Sequence, residues 1–199
     1  MYRFPEEFIR TSSFLPDEWK DLKWSGLGYV MIVDYHDTPV GPYKELLIIP
    51  GKAHFGEYRL GTISKIYVDS IDSMNNGRAN WGIPKELTDF KWNQEGKEHS
   101  IEMGSFGPWM IVTLEPGSVP FPIDTRFMPI HLYQELDGKS FRVNLKGKGT
   151  GHFSLIKDLQ VDPLFFPDLN KIEPIVSIYV DPFRVTYPAA DMTPLKPES

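Results

Sequence analysis

Apolar residues along this chain fall into short runs and alternations of strand length, and proline, glycine, aspartate or asparagine separates nearly every one. Gly28 to Val33 and Leu46 to Ile49 are continuous apolar runs. Turn chemistry at Asp37-Thr38-Pro39-Val40-Gly41-Pro42 lies between them, which predicts a hairpin with a long connection. Thr62 to Asp69 alternates, with Ser64, Ile66 and Val68 on one face and Ile63, Lys65 and Tyr67 on the other. Further strands are expected at His99–Met103, Trp109–Leu114, Arg126–Tyr133, Ser140–Leu145, His152–Ile156 and Ile175–Val185. Asp137-Gly138 is a hairpin-turn signal, and Gly147-Lys148-Gly149 reads as a flexible turn.

Helix signals are sparse. Ser13 to Glu18 suits a short helix start, and Pro84 fits the first position of a short helix through Glu86, Leu87 and Asp89. Asp72 to Gly77 reads as a loop, and the tail from Pro188 is expected to lie along the surface. Trp19 and Trp24 are expected to pack onto the core. With 18 prolines and 16 glycines spread through the chain, long helices have little room. The expected fold is mainly β with few helices, an antiparallel sheet closed into a barrel or sandwiched. No repeat or linker divides the 199 residues, so one domain over 1–199 is expected.

Composition narrows the chemistry. The chain has no cysteine, which removes disulfides, thiolate nucleophiles and Cys-type metal sites, and fits a reducing compartment. Cytoplasm is the expectation, since the first residues lack a signal-peptide pattern and no apolar stretch approaches a membrane span. A net charge of −6 supplies no basic field for phosphates, which argues against nucleic acid and for small-molecule work. The five histidines are scattered without ligand spacing, so no metal is expected. Gly147 to Gly151 lacks the spacing of a phosphate loop, and neither Ser105 nor Ser118 sits in a nucleophile elbow.

What remains is Gly77-Arg78-Ala79-Asn80-Trp81-Gly82-Ile83-Pro84-Lys85-Glu86-Leu87. Pro84 has a fixed φ and restrains Ile83 before it, so the backbone ahead of Lys85 is held. A lysine lined by Trp81, Ile83, Leu87 and Phe90 would be stripped of water, and desolvation favours the neutral, nucleophilic amine. The competing reading is a lysine that caps a loop. Lys65 reads as a surface lysine snorkelling beside Tyr67.

Ile66-Tyr67-Val68-Asp69, then Gly77-Arg78, then Trp81-Gly82-Ile83-Pro84-Lys85 resemble the acetoacetate decarboxylase family. The likeness runs upstream through Pro42-Tyr43-Lys44-Glu45 and downstream through Arg126-Phe127-Met128-Pro129-Ile130 and Asp162-Pro163-Leu164. It implies a cone-shaped antiparallel β-barrel with a buried pocket, a homo-oligomeric assembly and a Schiff-base lysine at Lys85. Glu45 inherits the position of an active-site glutamate. Glu86 stands where the family has a second lysine, and Met31 lies near the place of another pocket glutamate.

The resemblance implies imine catalysis without a cofactor on a 3-oxo acid, with Lys85 as nucleophile and Glu45 as proton shuttle. Ile66, Trp81 and Ile83 are the expected apolar contacts to substrate. Arg78 is a candidate for a substrate carboxylate or for an acidic side chain of the fold. Two alternatives stand beside decarboxylation. The same imine would serve an aldolase or dehydratase acting on a larger keto acid, and a barrel in which Lys85 pairs with Glu45 or Glu86 would be a non-catalytic binder.

Overall fold

The structure, a computed structural model, describes residues 1–195. In chain order its elements are α1 (Glu6–Ser12), α2 (Asp17–Lys20), β1 (Trp24–Ser25), β2 (Tyr29–Tyr35), β3 (Tyr43–Ile49), β4 (Lys52–Phe55) and β5 (Tyr58–Gly61). Then come β6 (Lys65–Val68), α3 (Ile71–Trp81), β7 (Lys85–Leu87), β8 (Phe90–Glu95), β9 (Glu98–Met103) and β10 (Met110–Asp124). The chain finishes with β11 (Ile130–Leu136), β12 (Lys139–Val161), a 3-10 turn (Leu169–Lys171), β13 (Ile178–Thr186) and β14 (Asp191–Pro194). It is mainly β with few helices, as the punctuation of the sequence predicts.

Two sheets form. The larger runs β1-β4-β5-β11-β12-β10-β9-β8, with β13 and β14 also paired to β12, and the smaller runs β2-β3-β6-β7. Neither path closes on itself. The predicted hairpin of the first two apolar runs is β2 and β3, paired antiparallel from Tyr29↔Ile49 to Tyr35↔Tyr43.

The smaller sheet has apolar clusters on both faces, which explains why Leu46 to Ile49 shows no polar alternation. Leu46, Ile48 and Tyr67 join one cluster with Ile101, Met103, Met110, Phe166, Trp19 and Trp24. Leu47, Ile49 and Ile66 join the other, with Ile83, Leu132 and Val143.

Several expectations are corrected. Asp72 to Gly77 is not a loop but the middle of α3. Its ends are well made: the Ser70 Oγ accepts the Ser73 N–H at 3.2 Å, and Gly82 closes the helix at φ 61 with its N–H on the Arg78 carbonyl. The buried residues of this helix are the small Ser73 and Gly77, so no apolar periodicity announces it. β6 and β7 pair in parallel, and a parallel pair needs a crossover, which α3 provides. Residues after Pro84 form β7 and not a short helix, because this pairing claims their backbone.

The predicted turn at Gly147 to Gly149 lies inside β12. Gly149 lets β13 approach: a Cβ there would stand 2.6 Å from the Pro182 carbonyl oxygen. Ser140–Leu145 and His152–Ile156 are therefore parts of one long strand. Residues 126–129 precede β11, with Arg126 tied to Asp124 in a turn. The helix start at Ser13 to Glu18 begins at Asp17, after a first helix, α1, that the sequence pattern did not reveal. Asp137, at φ 51, and Gly138, at φ 71, make the predicted turn between β11 and β12. Of the tail expected along the surface from Pro188, Asp191–Pro194 is exposed and paired with β12 as β14, while residues 196–199 lie outside the described residues. No helix among the described residues is long and apolar enough to cross a membrane.

Candidate functional site

The smaller sheet brings together what lies far apart in sequence. Its register places Met31 opposite Leu47, Leu47 opposite Ile66 and Ile66 opposite Lys85. Side chains of paired residues share a face, and along one strand residues two apart do too, so Glu45 and Tyr43 join Leu47 on the Lys85 side. Lys85 Nζ lies 2.8 Å from Glu45 Oε2, with both side chains buried at 7% and 2% exposure. It also donates to Ser73 Oγ at 2.9 Å and stands 4.9 Å from the centre of the Tyr43 ring.

Both residues of Gly77-Arg78 serve this lysine. A Cβ on Gly77 would lie 2.7 Å from Lys85 Cδ and 2.8 Å from Cε, so only glycine lets the stem pass the helix. Arg78 donates from Nε to the Lys85 carbonyl oxygen at 2.9 Å. Glu86, one residue on, points to the other face, where Lys65 Nζ meets its Oε1 at 2.6 Å. Lys65 stands beside the Tyr67 ring as expected, 5.0 Å from its centre, but only 14% of its side chain is exposed.

The lining differs from the apolar one expected. Phe90 packs against the cluster on the far side of the sheet, and Leu87 is half exposed. Ile66 and Ile83 are buried beside the Lys85 face. Trp81, at the end of α3, donates its indole N–H to the Pro188 carbonyl at 2.8 Å and packs on Tyr187 with ring centres 5.4 Å apart. The polar surroundings of the Lys85–Glu45 pair are what sequence reasoning missed: Ser73 beside Lys85, and the phenols of Tyr35, Tyr43 and Tyr187 around Glu45. Burial first, and then Glu45 and neighbouring phenols, push these three tyrosines well above the usual phenol range, so they remain protonated donors. Period-two spacing from Glu45 marks Tyr43 and the paired Tyr35; nothing local marks Tyr187.

One atom in the cluster is unsatisfied. Glu45 Oε1 is buried with no hydrogen-bond partner among the described residues, which is costly for a carboxylate oxygen unless a ligand completes it. A nucleophile-bearing lysine, a carboxylate with a free oxygen and phenolic donors can together carry carbonyl addition and proton transfer. Two surface hollows, one lined by Tyr29, Ile49 and Leu132 and the other by Trp109, Gln160 and Asn170, lie away from Lys85. No group of three or more metal-ligating side chains gathers among the described residues.

The family model for acetoacetate decarboxylase matches residues 1–115, a span that contains Glu45, Ser73 and Lys85. The chain belongs to the acetoacetate decarboxylase family. Its fold is similar to that of acetoacetate decarboxylase from Legionella pneumophila, with TM-score 0.72, 17% identity, and coverage of 96% of this chain and 82% of that one. It is also similar to the enduracididine biosynthesis enzyme MppR complexed with pyruvate, with TM-score 0.61, 14% identity, and coverage of 96% and 85%. At such identities these likenesses establish the fold. A curated relative, Protein NEOXANTHIN-DEFICIENT 1 of Arabidopsis thaliana, is 26% identical over 83 residues, which span 41% of this chain and 29% of that protein's length.

Proposed function

We propose that this family member is an imine-forming lyase that decarboxylates a 3-oxo acid on Lys85. The observation that carries this reading is the buried contact of Lys85 Nζ with Glu45 Oε2 at 2.8 Å, beside a Glu45 Oε1 with no partner among the described residues.

The steps use those two groups. Lys85 passes a proton to Glu45, and the neutral amine adds to the ketone carbon while the carbonyl oxygen takes a proton from Glu45. The carbinolamine hydroxyl leaves as water, and a protonated imine remains. The bond to the carboxylate breaks, its electrons flow to the imine nitrogen, and carbon dioxide departs. Glu45, left as a carboxylate by the addition step, takes up a proton from water, the one proton that the decarboxylation consumes, and gives it to the enamine carbon; water then hydrolyses the imine to free the ketone and Lys85. Ile66, in register with Lys85, and Ile83 supply the apolar wall beside the reacting carbons. Trp81 bounds the substrate side through Tyr187, and Arg78 acts by holding the Lys85 backbone.

A second reading is imine chemistry without decarboxylation, an aldol or dehydration step on a larger keto acid. It is favoured by the setting of the cations: Arg78 Nε is committed to a backbone oxygen and Lys65 to Glu86 on the opposite face. The similarity to MppR, one of whose structures holds a condensation product of pyruvate and an aldehyde, supports the same class. The reading extends to a cytoplasmic homo-oligomer, and to the two sheets as walls of the family's cone-shaped barrel.

Borohydride added with acetoacetate or pyruvate tests it. The expected result is a stable adduct on the peptide carrying Lys85, with carbon dioxide released from acetoacetate, and loss of both in Lys85→Arg, which keeps the charge and cannot form the imine. Labelling spread evenly over the lysines would mean a non-catalytic binder. Labelling of Lys85 with neither acetoacetate nor any 3-oxo acid releasing carbon dioxide would select the aldol or dehydratase reading.

A further inference from the structure

We infer that Ser73 is a catalytic residue whose hydroxyl oxygen holds the single N–H of the protonated imine on Lys85, leaving Glu45 free to move protons. The inference rests on the imine reading above.

A lysine ammonium has three N–H groups, and a protonated imine has one. Two oxygens flank Nζ, Glu45 Oε2 at 2.8 Å and Ser73 Oγ at 2.9 Å. Once the imine forms, both compete for the same hydrogen. Glu45 has to give and take protons through the cycle, and a carboxylate locked on the imine nitrogen cannot. It would also draw the positive charge towards itself and weaken the pull on the breaking bond. A serine hydroxyl is neutral and does not titrate in the working range. It holds the cation without cancelling its charge.

The fold places Ser73 for this task. It is 2% exposed and is the third residue of α3, with its backbone N–H fixed on the Ser70 Oγ that caps the helix. Four residues on, on the same helix face, Gly77 leaves the gap through which the Lys85 stem runs, so Nζ arrives at Ser73. Nothing in the sequence pattern of 71–76 marks this serine, because it does its work from a helix face made of small residues.

The test measures the rate at which acetoacetate and borohydride label Lys85 in the wild type and in Ser73 variants, with thermal midpoints for each. Ser73→Ala should still label Lys85, but about 10- to 100-fold more slowly at saturating acetoacetate, the loss expected for one hydrogen bond to a charged group. The acetoacetate concentration for half-maximal rate should move by less than about threefold, since Ser73 touches the nitrogen and not the substrate. Ser73→Cys fills the same space but accepts hydrogen bonds weakly, and it should stay as slow as Ser73→Ala. Ser73→Thr keeps the acceptor and should recover most of the rate. The role is wrong if Ser73→Ala labels at the wild-type rate, if Ser73→Cys restores the rate, or if the slowing follows lost thermal stability. If wild-type Lys85 itself is not labelled, the imine reading falls and the role of Ser73 falls with it.

Discussion

The backbone of Gly77 and the side chain of Lys85 share one space: a Cβ on the glycine would lie 2.7 Å from Lys85 Cδ. The obstacle is the stem of a buried side chain that is held at its tip by Glu45 and Ser73, so it has little room to give. Gly77→Ala should therefore move Nζ off Glu45. It should cut the rate of Lys85 labelling by about 100-fold, as a displacement of about 1 Å does at a reacting atom. The helix itself should be no weaker, since alanine is the better helix former at an ordinary helical position. Labelling at the wild-type rate in a folded Gly77→Ala protein would show that the stem has another path.

Glu45→Gln keeps the shape of the side chain and removes the acid. Turnover should fall by roughly two to four orders of magnitude while the melting transition remains cooperative. The measurement is carbon dioxide release, or adduct formation if the aldol reading holds. Near-wild-type rates would take the proton shuttle away from Glu45.

The tyrosines around Glu45 give a pH dependence whose sign can be worked out. Burial raises Tyr35 and Tyr187 above their unfolded value of 10.0, so at high pH the folded protein holds protons that the unfolded chain has lost. Stability that is fully present below pH ~10 should fall as the pH rises beyond it. Urea unfolding at stepped alkaline pH should show this, and Tyr35→Phe with Tyr187→Phe should flatten the slope. An unchanged slope in the double variant would place the alkaline loss elsewhere.

Assembly is the fourth prediction. Phe153 and Leu155 on β12 and Val119 on β10 are exposed at 62%, 64% and 73% and belong to neither apolar cluster. Apolar side chains on an uncovered ribbon favour pairing with a second copy. Light scattering at micromolar concentration should give a multiple of the 22.9 kDa chain mass. A monomer, or an oligomer unaffected by Phe153→Lys with Leu155→Lys, would remove this face from the assembly.

The sequence by itself determined the elements whose signals are local. Apolar runs bounded by turn residues are β2 and β3, an alternating stretch is β9, and Asp137-Gly138 supplies the turn that only residues tolerant of positive φ make readily. It also singled out Lys85 and Glu45, through a motif and not through physics readable from one strand. Tertiary structure decided the surroundings. Whether 71–81 becomes a helix depends on the parallel pairing of β6 with β7, which no local pattern encodes. Whether Glu86 faces Lys85 or Lys65 depends on which side of β7 each residue takes, and the register with Ile66 and Tyr67 sets that. Trp81 reaches Pro188 across 107 positions, and Tyr187 comes with it to the wall of the Lys85 cluster. Contacts over such separations are chosen by global packing, so a polar site inside an apolar stretch of sequence becomes visible only once the sheet has brought its parts together.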